Sequence, residues 1–347
     1  MIGAAGACGR QVVTQLLNRG ILDPDSRLQL VGHRGGASAN EMHGLRSDLR
    51  DAFADDAPAI QLVDEPDAID ADLVVMIAGA TVPTDPGANV DRALLAESNR
   101  RLFEAYADAL AARRGRQPLV IVQSNPVELG VAVFSSRLDR HLVVGAGAWS
   151  DTLRFRREIA DSWGVRRTAV RAAMIGQHGD HVVPVWSRVQ VDAVGREELA
   201  AWVADQRRGR SLAELPAEIV SQRGRLLELV GAGDVAGAFA AVERLPADLR
   251  AALKPFLVHY TAGHTTEIVT AHAVVDLIAL AMAGDDTQRP LQIRLEGEVD
   301  GVSGVIGLPV LFGPAGWQWV TPPQIERDEM DALLACLDSI SAANAAS

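Results

Sequence analysis

The chain reads as an α/β protein: an N-terminal doubly wound parallel sheet whose first strand is cut short, followed by a C-terminal α+β domain. Three observations predict this. A glycine loop, Gly3-Ala4-Ala5-Gly6-Ala7-Cys8-Gly9, stands almost at the start and leads into a helical stretch, Arg10 to Asn18. Apolar runs then alternate with helical patterns, as in strands joined by crossover helices. Further on, two strand-like runs, Leu291 to Glu296 and Val305 to Leu311, follow each other directly and do not keep that alternation.

Taken in order, the loop has the spacing G-x-x-G-x-x-G. Such glycines let the backbone approach a pyrophosphate with a helix N-terminus facing the negative charge. A Gly/Ala-rich loop packed closely on a neighbour explains the same residues, and the loop alone leaves both open. A dinucleotide loop should follow a full central strand, yet only Met1 and Ile2 precede Gly3. The native start is therefore expected upstream, which an intact-mass measurement checks. The next strand is Leu28-Gln29-Leu30-Val31, followed by Gly32-His33-Arg34 with no carboxylate to bond ribose hydroxyls. Arg34 suits a 2′-phosphate, so NADP is a slight preference over NAD; a solvated loop arginine is the alternative.

Ala71 to Gly79 is a buried strand, and Thr81 to Asn89 form a Pro/Gly-rich loop. A helical pattern from Arg92 to Leu110 and a strand, Leu119 to Gln123, lead to Ser124-Asn125-Pro126-Val127. Ligands in such sheets sit at the C-terminal strand ends, where all these loops fall. In the second half, Ala172-Ala173-Met174-Ile175 runs into Gly176-Gln177-His178-Gly179-Asp180-His181, a strand ending in a glycine-flanked turn. His178 is a candidate acid/base; a polar turn residue is the plain alternative. Asp151 and Arg154 are three residues apart, on one helix face.

Composition limits the function. The 347 residues fit one large or two medium domains, and 48% hydrophobic content is enough for a core. A net charge of −12 argues against sequence-independent nucleic-acid binding. No apolar run reaches the ~18 residues of a membrane span. Cys8 and Cys336 lie far apart and make no disulfide framework, and no signal-peptide pattern is visible, so a cytoplasmic protein is expected. No metal-ligand spacing appears, and none is expected.

The glycine loop, the Ser124-Asn125-Pro126-Val127 loop and the set Asp151-Thr152-Leu153-Arg154 with Gly176-Gln177-His178-Gly179-Asp180 together resemble the lactate/malate dehydrogenase family. The resemblance continues to Leu295-Glu296-Gly297-Glu298 and Gly307-Leu308-Pro309-Val310. It implies a Rossmann dinucleotide-binding domain over 1–146 and a catalytic domain over 147–347. It implies hydride transfer between NAD or NADP and a small 2-hydroxy or 2-oxo acid, in a homodimer or homotetramer. His178 then moves the proton, Asp151 backs it, and Arg154 grips the substrate carboxylate. Without the resemblance, Asp151 and Arg154 read as an ordinary intrahelical pair. Cofactor contacts are implied at Gly3, Gly6, Gly9, Arg34, Ala78, Gly79, Asn99 and Asn125. Substrate contacts are implied at Arg92, Thr84, Asn125 and Thr265. Asn125 has a turn role before proline as its alternative, and Thr265 a helix cap.

Two departures stand out. The family's mobile loop after the Gly79 strand carries two arginines; here Thr84 replaces the first, which grips a distal carboxylate. Arg92, seven residues before Asn99, takes the second place. A dicarboxylic substrate would lack a partner for its second charge, so malate is not the expected substrate; a neutral side chain, or a cation facing Asp85, fits better. The second departure is an insertion at 205–255, with helices expected over Glu218 to Val230 and Val235 to Leu245. Its cluster Arg207, Arg208 and Arg210 is expected to be a solvated face. The chain closes with a core-facing helix, Glu326 to Ile340, while Trp317 and Trp319 are expected to bury an edge of the second domain. Two other classes compete. One is a non-catalytic nucleotide- or carboxylate-binding relative. The other is a nicotinamide-dependent glycosidase, which would need a Cys/His metal pair that these cysteines do not offer.

Overall fold

The computed structural model describes residues 1–33, 35, 39–80, 92–263, 265–284, 286–299, 301–320 and 324–345, with backbone alone at 92–94, 319–320 and 341–345. The first half comprises α1 (Ala7–Asn18), β1 (Arg27–Val31), α2 (Ala39–Ala52), β2 (Ala59–Val63), β3 (Leu73–Met76), α3 (Arg92–Ala112), β4 (Leu119–Val122), α4 (Val127–Phe134) and β5 (Val143–Gly145). Strands β3, β4 and β5 pair in parallel, as do β1 and β2. β4 is buried at every position and β3 at three of its four, the mark of strands covered on both faces.

The two parallel groups meet through one residue. Ile2 bridges Val31 on one side and Met76 on the other, both in parallel sense. Its N–H donates to Val75 O at 2.9 Å, and its carbonyl accepts from Ile77 N at 3.1 Å. The order is thus β2-β1-Ile2-β3-β4-β5, a doubly wound sheet with Ile2 at its centre. Beside Ile2, β1 and β3 stand apart around a cavity of about 340 Å³ lined by Met1, Leu28, Gln29, Val74 and Val75. The Met1 ammonium donates to Gln29 O at 2.8 Å, and burial lowers its pKa to about 5.

The second half continues with α5 (Gly147–Trp163), β6 (Val170–Arg171), β7 (Met174–Gly176), β8 (Val182–Pro184) and β9 (Gln190–Val191). Helices α6 (Arg196–Arg207), α7 (Leu215–Gly231), α8 (Val235–Val242), α9 (Ala247–Ala262) and α10 (Glu267–Ala283) follow. The chain ends with β10 (Thr287–Val299), β11 (Val302–Gly313), β12 (Gly316–Val320) and α11 (Arg327–Ala345). The β10–β11 hairpin joins the halves: Gln292 pairs with Gly145 of β5, and Gly307 with Gly176 of β7. The sheet therefore runs from the parallel half to the turn that carries His178. No helix among the described residues is long and apolar enough to cross a membrane.

One expectation needs correcting. The basic cluster is not a solvated face. Arg210 is 10% exposed and pairs with Glu218 at 2.6 Å and with the fully buried Asp248, while Arg207 pairs with Asp328 and with Glu326 at 3.1 Å. Only Arg208 of the three is exposed, at the left-handed C-cap of α6. These pairs tie residues 205–255 to the rest of the chain, as does Glu158 of α5, which binds Arg250 and Lys254 of α9, each at 2.7 Å. Trp317 is buried, at 1% exposure, on β12, the strand that borders β11. Its indole lies 4.2 Å from the His141 ring and donates to Arg140 O at 2.7 Å, so it packs on the segment leading into β5. The Trp319 side chain lies outside the described residues.

Candidate active site

His178 sits between two glycines with left-handed backbone, Gly176 at φ +83° and Gly179 at φ +105°, which let the chain reverse tightly from β7 to β8. The ring packs on the start of α5: a Cβ added to Gly147 would lie 2.8 Å from His178 Cγ. One turn further along α5, Asp151 Oδ2 lies 2.7 Å from His178 Nδ1. A carboxylate only accepts, so Nδ1 carries the hydrogen and Nε2 is left as the acceptor in the neutral ring. The other carboxylate oxygen, Asp151 Oδ1, takes Arg154 Nη1 at 3.0 Å. All three side chains are largely covered, at 18%, 11% and 12% exposure for His178, Asp151 and Arg154.

Arg154 is only partly satisfied. Its Nη2 donates to Thr266 Oγ1 at 2.8 Å, and its Nε is buried with no hydrogen-bond partner among the described residues. A guanidinium has five N–H donors, and these contacts use two of them. Sequence reasoning singled out Thr265; the structure puts Thr266 on the arginine, and Thr265 Oγ1 lies 3.5 Å from Cys8 Sγ. That second contact brings the glycine loop against the entry to α10.

The charges shift one another. Burial raises the Asp151 carboxyl, but the neighbouring imidazolium and Arg154 outweigh it and hold the group below the usual carboxylate range. Burial lowers the imidazole, yet Asp151 and then Glu128 more than offset this, and His178 ends above its ordinary value. Burial depresses Arg154, with Asp151 opposing. Sequence reasoning missed Glu128, although one carboxylate in the otherwise apolar helix Val127–Phe134 was a usable signal.

The glycine loop fits a phosphate. Gly3, at φ +86°, lies so close to β3 that a Cβ would stand 2.7 Å from Ala78 N, and a Cβ on Gly9 would stand 2.2 Å from Gly3 O. These two shape the loop. Gly6 is exposed at the N-cap of α1, where no side chain caps the helix and no acidic residue sits in the first turn. Its N–H groups and dipole are therefore open to an anion. Asn99 braces the neighbouring strand ends: Oδ1 accepts from Ala80 N at 2.7 Å, and Nδ2 donates to Ala80 O at 3.0 Å and Asn125 O at 2.7 Å. Gly79 is exposed beside it, and Ala78 O accepts from Ser124 Oγ at 2.5 Å. Arg34, Thr84, Asp85 and His264 lie outside the described residues, and Arg92 opens α3 with its side chain outside them.

Comparison with known proteins agrees with this architecture. Residues 1–145 match the NAD binding domain of lactate/malate dehydrogenase, and residues 150–250 match its alpha/beta C-terminal domain. An L-2-hydroxycarboxylate dehydrogenase (NAD(P)(+)) of Methanocaldococcus jannaschii is 26% identical over 340 residues, covering 96% of this chain and 93% of its own. A malate dehydrogenase of Halobacterium salinarum is 28% identical over 352 residues, covering 99% and 96%. The crystal structure of Cryptosporidium parvum malate dehydrogenase superposes with a TM-score of 0.75 at 18% identity, over 99% of this chain and 96% of that one. The chain belongs to the lactate/malate dehydrogenase family.

Proposed function

We propose that this chain is an NAD(P)-dependent 2-hydroxy acid dehydrogenase in which His178 moves the proton, Asp151 orients it and Arg154 binds the substrate carboxylate. The supporting observation is the shared carboxylate: Asp151 holds the His178 ring with one oxygen and the Arg154 fork with the other. That fixes the distance and angle between a proton acceptor and a carboxylate receptor before any acid arrives. When bound, the nicotinamide accepts or gives the hydride at the hydroxyl-bearing carbon. In oxidation, His178 Nε2 takes the hydroxyl proton as the carbonyl forms, and Asp151 stabilises the resulting imidazolium. In reduction, the imidazolium returns that proton to the carbonyl oxygen. Gly6 and the N-terminus of α1 would hold the pyrophosphate, with Ala78, Gly79 and Asn125 at the neighbouring strand ends. Residues 1–146 would carry the cofactor and 147–347 the acid, with 205–255 inserted.

The substrate is read as a 2-hydroxy acid with an uncharged side chain rather than malate, because Thr84 stands where relatives place a distal-carboxylate arginine. A buried second carboxylate would then be unpaired, a loss of several kcal/mol. The test is oxidation of NADH and NADPH, followed by absorbance, with a panel of 2-oxo acids. The expected result is turnover with kcat/KM highest for a monocarboxylic acid. Preference for oxaloacetate would contradict the substrate reading. Cofactor binding without turnover of any acid would contradict the activity and favour a nucleotide-binding relative.

A further inference from the structure

The turn that carries His178 is tied down by a residue the proposed reaction does not use. Glu128 lies in the first turn of α4, past the Asn125–Pro126 loop, and is 4% exposed. Its Oε1 accepts the main-chain N–H of His178 at 2.7 Å and, more weakly, Gln292 Nε2 at 3.4 Å. Gln292 is itself fully buried and takes Ala148 N on its Oε1 at 3.0 Å. Val127, Leu129 and Val131 around Glu128 are all buried. A neutral acceptor would satisfy the same N–H in such surroundings without the desolvation cost of a carboxylate.

We propose that Glu128 is a positioning residue for His178: from α4 it anchors the main chain of the imidazole-bearing turn and sets a second buried carboxylate beside the His178–Asp151 pair. The inference rests on His178 being the proton carrier. Among the described residues, few other charges face the ring. α5 supplies Asp151 and Arg154, which oppose each other. The turn itself supplies His181 and Asp180, and Asp180 is taken by Arg223 of α7 at 2.7 and 2.9 Å. From α11, Cys336 Sγ donates to His181 O at 3.0 Å, and its thiol is pushed up to about 11, chiefly by burial. Glu128 therefore decides whether the cluster carries an excess negative charge. Burial raises its own carboxyl and the imidazolium pulls it back, so each group favours the charged form of the other.

The test follows the His178 ring by NMR in the full-length chain, alongside the pH profile of kcat/KM for 2-oxo acid reduction. Glu128→Gln keeps the acceptor for the His178 N–H and removes the charge, while Glu128→Asp keeps the charge. The expected result is a His178 titration about one pH unit lower in Glu128→Gln, with the alkaline limb of kcat/KM displaced equally, and little displacement in Glu128→Asp. An unmoved titration and limb in a folded Glu128→Gln chain would overturn the proposal. Equal displacement in both variants would overturn it too, because shape rather than charge would then be responsible. The unaltered chain gives a check that needs no variant: labelled Glu128 carboxyl and His178 ring should share an inflection, and independent inflections would contradict the coupling. If no 2-oxo acid is reduced, the proposed reaction fails while the ring titration still decides the role of Glu128.

Discussion

Asp151 stands between two partners of unlike function, with His178 Nδ1 at 2.7 Å from one oxygen and Arg154 Nη1 at 3.0 Å from the other. The imidazole is raised by that carboxylate, so the protonated ring needed for reduction persists above its ordinary value and is lost as pH rises through the raised one. Replacing Asp151 with Asn leaves burial and Arg154, which lower the imidazole, opposed by Glu128. The alkaline limb of 2-oxo acid reduction is expected to move down by at least about one pH unit. Turnover at neutral pH should fall by roughly a hundredfold or more, since the ring also loses its fixed tautomer. A pH–rate series on the parent chain and Asp151→Asn checks it; an unmoved limb would separate Asp151 from the reacting proton.

Arg154→Lys keeps the charge and loses the fork. With Nη1 and Nη2 already placed by Asp151 and Thr266, and Nε buried without a hydrogen-bond partner among the described residues, the guanidinium is held before an acid binds. A lysine offers a point charge on a flexible stem. KM for the acid is expected to rise about a hundredfold, with a smaller drop in kcat and unchanged cofactor affinity. Steady-state kinetics with fluorescence titration of reduced cofactor measure the three separately.

Thr266→Val removes the hydroxyl that takes Arg154 Nη2. One charge-assisted hydrogen bond is worth about 1.5–3 kcal/mol, so KM should rise roughly tenfold to a hundredfold, with little change in melting temperature. Thr265→Val should raise KM less than Thr266→Val, because the hydroxyl that takes Arg154 Nη2 is that of Thr266. The reverse ranking in parallel kinetics would place the arginine's support on the other threonine.

How far the sequence led can be argued from these same residues. β3 and β4 were legible because a strand covered on both faces is a continuous apolar run. β2 was not, since only Val63 of its five residues is buried and the run carries Gln61 at its centre. Helix α9 was missed because Pro255 lies inside it and proline reads as an end. The Asp151–Arg154 pair was visible through helical spacing, and His178 through its glycine-flanked turn. Thr266 and Glu128 were not, because Arg154 reaches 112 residues along the chain and the His178 N–H reaches 50. Local pattern can mark Glu128 as the one carboxylate of an apolar helix, but it does not say which distant group such a residue meets.

The basic cluster of α6 and the segment after it offers a stability test of the corrected expectation. Arg210 is paired with Asp248, which is fully buried and whose carboxyl burial raises despite the arginine. Arg210→Ala would strand that carboxylate and should destabilise the fold by about 3–5 kcal/mol. Arg208→Ala, at an exposed position, should change stability by no more than about 0.5 kcal/mol. Urea unfolding of both variants reads the difference. Equal small effects would return the cluster to the solvated face first expected.

The most direct measurement concerns the proton itself. His178→Asn keeps the shape of the turn and removes the acid/base. The account predicts that reduced cofactor still binds with near-parent affinity, by fluorescence, while turnover of the best 2-oxo acid falls by about a thousandfold or more. A His178→Asn chain that turns over at the parent rate would show that another group carries the proton, and the reading built on Asp151, Arg154 and His178 would be wrong.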